Sequence, residues 1–153
     1  MKKIIILSIG GVKEKYYREA ILEYQKRLNS DIRLELIDLP AKSFSDKNIL
    51  AIKKQESQRI LEFLQKNKDS DIFLLSENGQ EYDSIGFSEK IFSLDRPIIF
   101  VIAGSLGFDF DILKGYNNLS LSKMTFLHEM AKVILMEQIY RAVNIEKGKK
   151  YHY

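Results

Sequence analysis

The chain alternates between short runs that are apolar throughout and longer stretches that carry one apolar stripe. "KKIIILSIG" (2–10) is continuously apolar and ends in glycine, the pattern of a strand buried on both faces. "RPIIFVIAG" (96–104) repeats that pattern. "IRLELIDLP" (32–40) alternates and stops at Pro40, and "DIFLLSENG" (71–79) is an apolar strand ending in a turn. Between them lie helical patterns. "KEKYYREAILEYQKRL" (13–28) spaces Tyr17, Ala20, Ile21, Tyr24 and Leu28 along one face. "NILAIKKQESQRILEFLQKN" (48–67) does the same with Ile49, Ile52, Ile60, Phe63 and Leu64. Residues 84–94 read as a helix with Ser84 as a candidate cap, 105–115 as a glycine-bearing loop and short helix, and 118–122 as a short strand or extended loop. The order βαβαβαβαβα predicts an α/β layer fold, a largely parallel sheet flanked by helices, as one domain over 1–153. In such sheets ligands bind outside the carboxyl ends of the strands. The loops 75–79, 103–108 and 120–126 qualify, so the site is expected in the C-terminal half.

The last helical pattern breaks the amphipathic rule. "SKMTFLHEMAKVILMEQIYRA" (122–142) holds four consecutive apolar residues, Val133 to Met136, at its centre. A surface helix should keep one polar face. His128 and Glu129 lie at one end of the run, with Glu137, Gln138 and Arg141 at the other. Glu137 and Arg141 stand four apart in the favourable acid-first order for an ion pair. A partner surface would account for both the apolar centre and the polar ends.

Composition narrows the classes. Hydrophobic residues make up 45% and charged residues 29%, an ordinary globular mixture. The absence of cysteine excludes disulfides and thiolate metal sites and fits a reducing compartment. The run Ile4–Ile9 is too short for a signal peptide core, and no window approaches a membrane span, so a cytoplasmic protein is expected. The net charge of +3 is a weak pointer to nucleic acid. Arg141, Lys147, Lys149 and Lys150 gather against one acid, Glu146. "KGKKYHY" (147–153) then sets aromatic residues among lysines, which suits stacking on bases beside phosphate contacts.

Three motifs carry other chemistry only partly. "IGGVKEKYYREA" lacks the G-x-G-x-x-G spacing of a dinucleotide fingerprint and reads as a tight strand-to-helix turn. "FVIAGSLGF" (100–108) places Ser105 in an A-x-S-x-G turn, one glycine short of a nucleophile elbow, which leaves a small serine hydrolase as a minor alternative. His128 and His152 stand 24 positions apart, with no metal-ligand spacing, so no metal is expected.

"FVIAGSLGF", "LSLSKMTFLHEMAKVILMEQIYRA" and the terminal "YHY" closely resemble the SPOUT-superfamily ribosomal RNA large subunit methyltransferase H family, which methylates N3 of a pseudouridine in 23S ribosomal RNA. The likeness runs along essentially the whole chain. It implies an α/β trefoil-knot fold, a homodimer, S-adenosyl-L-methionine as cofactor, and the assembled ribosome as partner. It implies cofactor contacts from Leu75, from Ala103, Gly104 and Gly107, and from Leu121, Ser122, Lys123, Met124, Thr125 and Phe126. It places His152 and Tyr151 close to the target base, with Arg141 and His128 organising the site or holding phosphate. The chain departs from the family pattern at Ala103 (a glycine there), Leu127 (a proline) and Tyr153 (a basic residue). A ribosome-binding module without catalysis is the competing reading.

Overall fold

A computed structural model describes residues 1–151. The elements run β1 (Lys2–Ile9), α1 (Lys15–Leu28), β2 (Ile32–Leu39), α2 (Ile49–Gln65), β3 (Asp71–Glu81), α3 (Ser84–Ser93), β4 (Ile98–Ile102), β5 (Asn117–Ser120) and α4 (His128–Glu146). The five strands form one sheet in the order β2-β1-β4-β3-β5, and every pairing is parallel.

The continuous apolar strands are explained by the layers. In β1, Ile4 and Ile6 point to one face, while Ile5, Leu7 and Ile9 point to the other. The first face is covered by α1, α3 and α4 through Ile21, Leu28, Phe87, Ile91, Leu135, Met136 and Ile139. The second is covered by Ile60 and Leu64 of α2, together with Phe108 and Leu113 from the segment after β4. Leu135, Met136 and Ile139 are fully buried, each contributing about 2 kcal/mol of burial. The apolar run of α4 is therefore half answered by its own sheet. Ile134 turns the other way.

Two local readings differ from the structure. Residues 105–115 form turns, and no α-helix lies between β4 and β5. Gly107 and Gly115 sit at φ +76° and +83°, outside the helical region, leaving too little chain between them for a stable helix. The cap of α3 is Asp83, whose carboxylate accepts from the Gly86 N–H at 2.7 Å. Ser84 instead donates to Gln138 Oε1 at 2.8 Å, tying α3 to α4.

The pairing of β3 with β5 contains the feature that shapes the carboxyl edge. Leu75 and Gln80 both register with Leu119, so residues 76–79 loop out of the ladder. Gly79 brings the chain back directly over the β5 backbone. A Cβ there would stand 2.6 Å from Asn118 C and Leu119 N.

Candidate functional site

Because all strands are parallel, their carboxyl ends share one edge, and the three loops expected to bind a ligand meet there. They enclose a cleft of about 680 Å³. Leu75 and the looped-out Ser76–Asn78 form one wall, and Ile102 to Phe108 with Phe110 form the floor. Leu121, Met124, Thr125 and Phe126 close the third side, with Leu127, His128 and Ala131 beyond them. Lys53 reaches in from α2.

Of the expected cofactor contacts, Leu75, Ala103, Gly104, Gly107, Leu121, Met124, Thr125 and Phe126 come together here. Ser122 and Lys123 do not line the cleft. The Ser122 hydroxyl accepts from the Met124 N–H at 3.1 Å and its carbonyl accepts from Ser120 Oγ at 2.8 Å, so it shapes the loop from behind. Lys123 is exposed. Ser76 and Leu106 lie within the loops 75–79 and 103–108 marked from the sequence, whereas Lys53 and Phe110 lie outside them and reach the cleft only through the packing of α2 and of the segment after β4.

The glycines of the floor have separate reasons. Gly107 adopts φ +76°, and its N–H closes a turn on the Gly104 carbonyl at 3.0 Å. Gly104 lacks room for a side chain: a Cβ would stand 3.0 Å from Ile9 Cγ2 and 3.3 Å from Glu56 Oε1. Ala103 does not need to be glycine, since no described non-glycine residue has positive φ. The same fact removes the nucleophile elbow. Ser105 is exposed on an unstrained turn, and no helix follows it.

His128 lies in the cleft wall at the start of α4. Its Nε2 is 3.9 Å from Glu129 Oε1, and its buried Nδ1 has no hydrogen-bond partner among the described residues. Glu129 is buried and points away, accepting from the N–H groups of Lys13 and Glu14 at 3.3 and 3.5 Å. It thereby ties the chain entering α1, at Lys13 and the N-cap residue Glu14, to the start of α4.

Arg141 and Tyr151 lie elsewhere. Arg141 lies thirteen helical steps beyond His128, about 20 Å of rise. Arg141 pairs with Glu137 at 2.7 Å, and its guanidinium sits 4.9 Å from the Tyr151 ring centre. Tyr151 packs edge-on against Tyr140 at 4.9 Å. Tyr24 and Arg27 complete this cluster from α1. Burial, aided by Tyr151 and Glu137, holds the Tyr24 phenol above its ordinary range. The chain is aimed there by a glycine turn after α4. Gly148 at φ +67° donates to Ile145, and Lys149 donates to Asn144 at 2.9 Å, the paired bonds of a Schellman cap. His152 lies outside the described residues.

The outward face of α4 joins the two regions. Leu127 and Met130 are exposed on it. Ile134 and Gln138 line a second hollow of about 400 Å³ with Tyr82, Ser84 and Ile85. Among the described residues, no group of His, Asp and Glu is arranged to hold a metal ion, and no helix is long and apolar enough to cross a membrane.

The comparisons with known proteins agree with this architecture. Among solved structures, the chain is similar to a probable methylase family protein from Haemophilus influenzae Rd KW20, with TM-score 0.61 and 15% identity over 99% of this chain and 71% of that one. It is similar to a protein from Bacillus anthracis described as an RNA methyltransferase, with TM-score 0.56 and 18% identity over 98% and 99%. It is also similar to TrmJ from Z. mobilis ZM4, with TM-score 0.54 and 10% identity over 93% and 70%. At these identities the likeness establishes the fold. The family model described as Predicted SPOUT methyltransferase matches residues 1–152, essentially end to end. The chain belongs to the SPOUT methyltransferase family.

Proposed function

We propose that this protein transfers a methyl group from S-adenosyl-L-methionine to N3 of a pseudouridine in 23S ribosomal RNA, acting on the assembled ribosome in the cytoplasm. The observation that carries this reading is the convergence of the three carboxyl-edge loops on one cleft in a chain of this family. The donor set fits the cofactor. Leu75, Leu121 and Phe126 offer apolar walls, and the turn closed between Gly104 and Gly107 forms part of the floor. The backbone groups of 103–107 and 121–126 can pair with an adenine edge without any charged side chain. The bound cofactor would supply a methyl group already activated on a sulfonium. The chain's own task is then to hold the base in line with it and to accept the N3 proton. Tyr151 and His152 are assigned to the base, and His128 and Arg141 to organising the site.

The separation along α4 favours a shared site. With His128 in the cleft and Arg141 about 20 Å away, one subunit does not unite the two halves. An antiparallel pairing of two α4 helices about Ile134 would set the partner's Arg141 and tail beside His128. It would also cover Leu127, Met130 and Ile134. We therefore propose a homodimer of single-domain subunits, 1–153. The close crossing of 76–79 over Asn118 and Leu119 supports the trefoil knot of the resembled family.

Recognition by tail and dimer surface predicts that a shaped particle is the substrate rather than naked RNA. Labelled S-adenosylmethionine should transfer its methyl to ribosomes and poorly to protein-free 23S RNA. Cofactor binding without transfer to any ribosomal particle would favour the non-catalytic module.

A further inference from the structure

Two adjacent polar side chains of α2 are buried where the helix otherwise packs Ile52, Ile60 and Leu64. Glu56 is 4% exposed and Ser57 is 0% exposed. Glu56 has no cation paired with it among the described residues. A buried carboxylate without one costs more than an apolar side chain of the same size would. Both side chains face the loop after β4. Ser57 Oγ accepts from the Asp109 N–H at 2.8 Å. One Glu56 carboxylate oxygen lies 3.3 Å from where a Cβ on Gly104 would stand, opposite Ile9, and the other accepts from the Lys42 N–H at 3.5 Å. Glu56 therefore abuts the first residue of the Gly104–Gly107 turn, and Ser57 pins the residue just after Phe108.

We propose that Glu56 and Ser57 are positioning residues that hold the 104–109 loop in the shape that binds the cofactor, acting through the backbone of Gly104 and Asp109. The inference rests on reading the cleft as the S-adenosylmethionine site. It accounts for two adjacent buried polar groups on this stretch of helix, both directed at the loop after β4.

The test compares wild type with Ser57→Ala, Glu56→Ala and Glu56→Gln in calorimetric titrations with S-adenosylmethionine. Melting temperature and amide hydrogen exchange of the ligand-free protein are measured alongside. Ser57→Ala should weaken binding about fivefold and Glu56→Ala about tenfold. Glu56→Gln, which keeps an acceptor of the same length, should recover most of the loss. Exchange should quicken at 104–109 while the sheet stays protected. Should Glu56→Ala fail to fold, Ser57→Ala carries the comparison. Unchanged affinity with unchanged loop exchange overturns the proposal, as does faster exchange spread evenly over the sheet. If wild type itself binds no cofactor, the reading of the cleft fails on its own. The loop exchange then decides the clamp: local acceleration supports it, and none overturns it.

Discussion

Replacing Gly79 by alanine tests how the carboxyl edge is built. The new Cβ would stand 2.6 Å from Asn118 C, 2.6 Å from Leu119 N and 2.7 Å from Leu119 C. Carbon atoms rest at roughly 3.5 Å or more, so the two chain segments must part by about 1 Å. All three obstacles are backbone atoms, and none can rotate aside as a side-chain end would. Overpacking costs about 1–3 kcal/mol, and this geometry belongs at the upper end, about 3 kcal/mol. With a urea slope of about 2 kcal/mol per molar, the unfolding midpoint should fall by about 1.5 M. The displacement also moves Leu119 and Ser120, and with them Leu121 in the cleft wall, so cofactor affinity should fall too. Gly11→Ala is the control, since no atom lies within 4 Å of its Cβ position and its φ is not positive. It should stay within about 0.5 kcal/mol of wild type. Urea titrations followed by circular dichroism at one protein concentration measure both. Equal midpoints for the two variants would refute the argument that β3 recrosses β5 through a gap only glycine fits.

Other consequences are open to measurement. Gly148→Ala puts a side chain at φ +67° and should cost about 1 kcal/mol, raising amide exchange over 148–151 as Tyr151 leaves Tyr140; protection equal to wild type would contradict the Schellman turn as the tail's anchor. The raised Tyr24 phenol binds its proton more tightly in the folded chain, so its stabilisation is full below about pH 10 and lost as pH rises through the folded value. Tyr24→Phe should flatten that alkaline loss, read from melting temperatures between neutral pH and the alkaline limb. Mixing Thr125→Trp subunits, blocked in the cleft by a bulky side chain at an exposed lining position, with Arg141→Ala subunits, altered at the tail, should restore about a quarter of wild-type methyl transfer. Half of the dimers would then be mixed, each with one intact shared site. No restoration would place the whole site within one subunit.

The strands and loops were legible because burial on two faces leaves a local signature, as in Ile4–Ile9 and Ile98–Ile102. Parallel order then put 75–79, 103–108 and 120–126 at one edge. The short helix expected in 105–115 failed because the positive φ of Gly107 and Gly115 is set by the turns they close, which hydrophobic spacing does not report. Asp83 rather than Ser84 caps α3, a one-residue shift decided by where Gln138 of α4 offers Ser84 a partner. The sequence already sets His128 and Arg141 at opposite ends of one helical run, and the observed helix turns that spacing into a separation of about 20 Å. Glu56 and Ser57 were invisible as site residues, since in an amphipathic pattern they pass for ordinary polar positions.

The central claim is tested most directly by incubating the protein with labelled S-adenosylmethionine and ribosomes that lack the modification, then locating the label by nuclease mapping and mass spectrometry. The account predicts a single methyl group on N3 of one pseudouridine in 23S ribosomal RNA. Label on another nucleotide, or cofactor bound with no label transferred to any ribosomal particle, would contradict it.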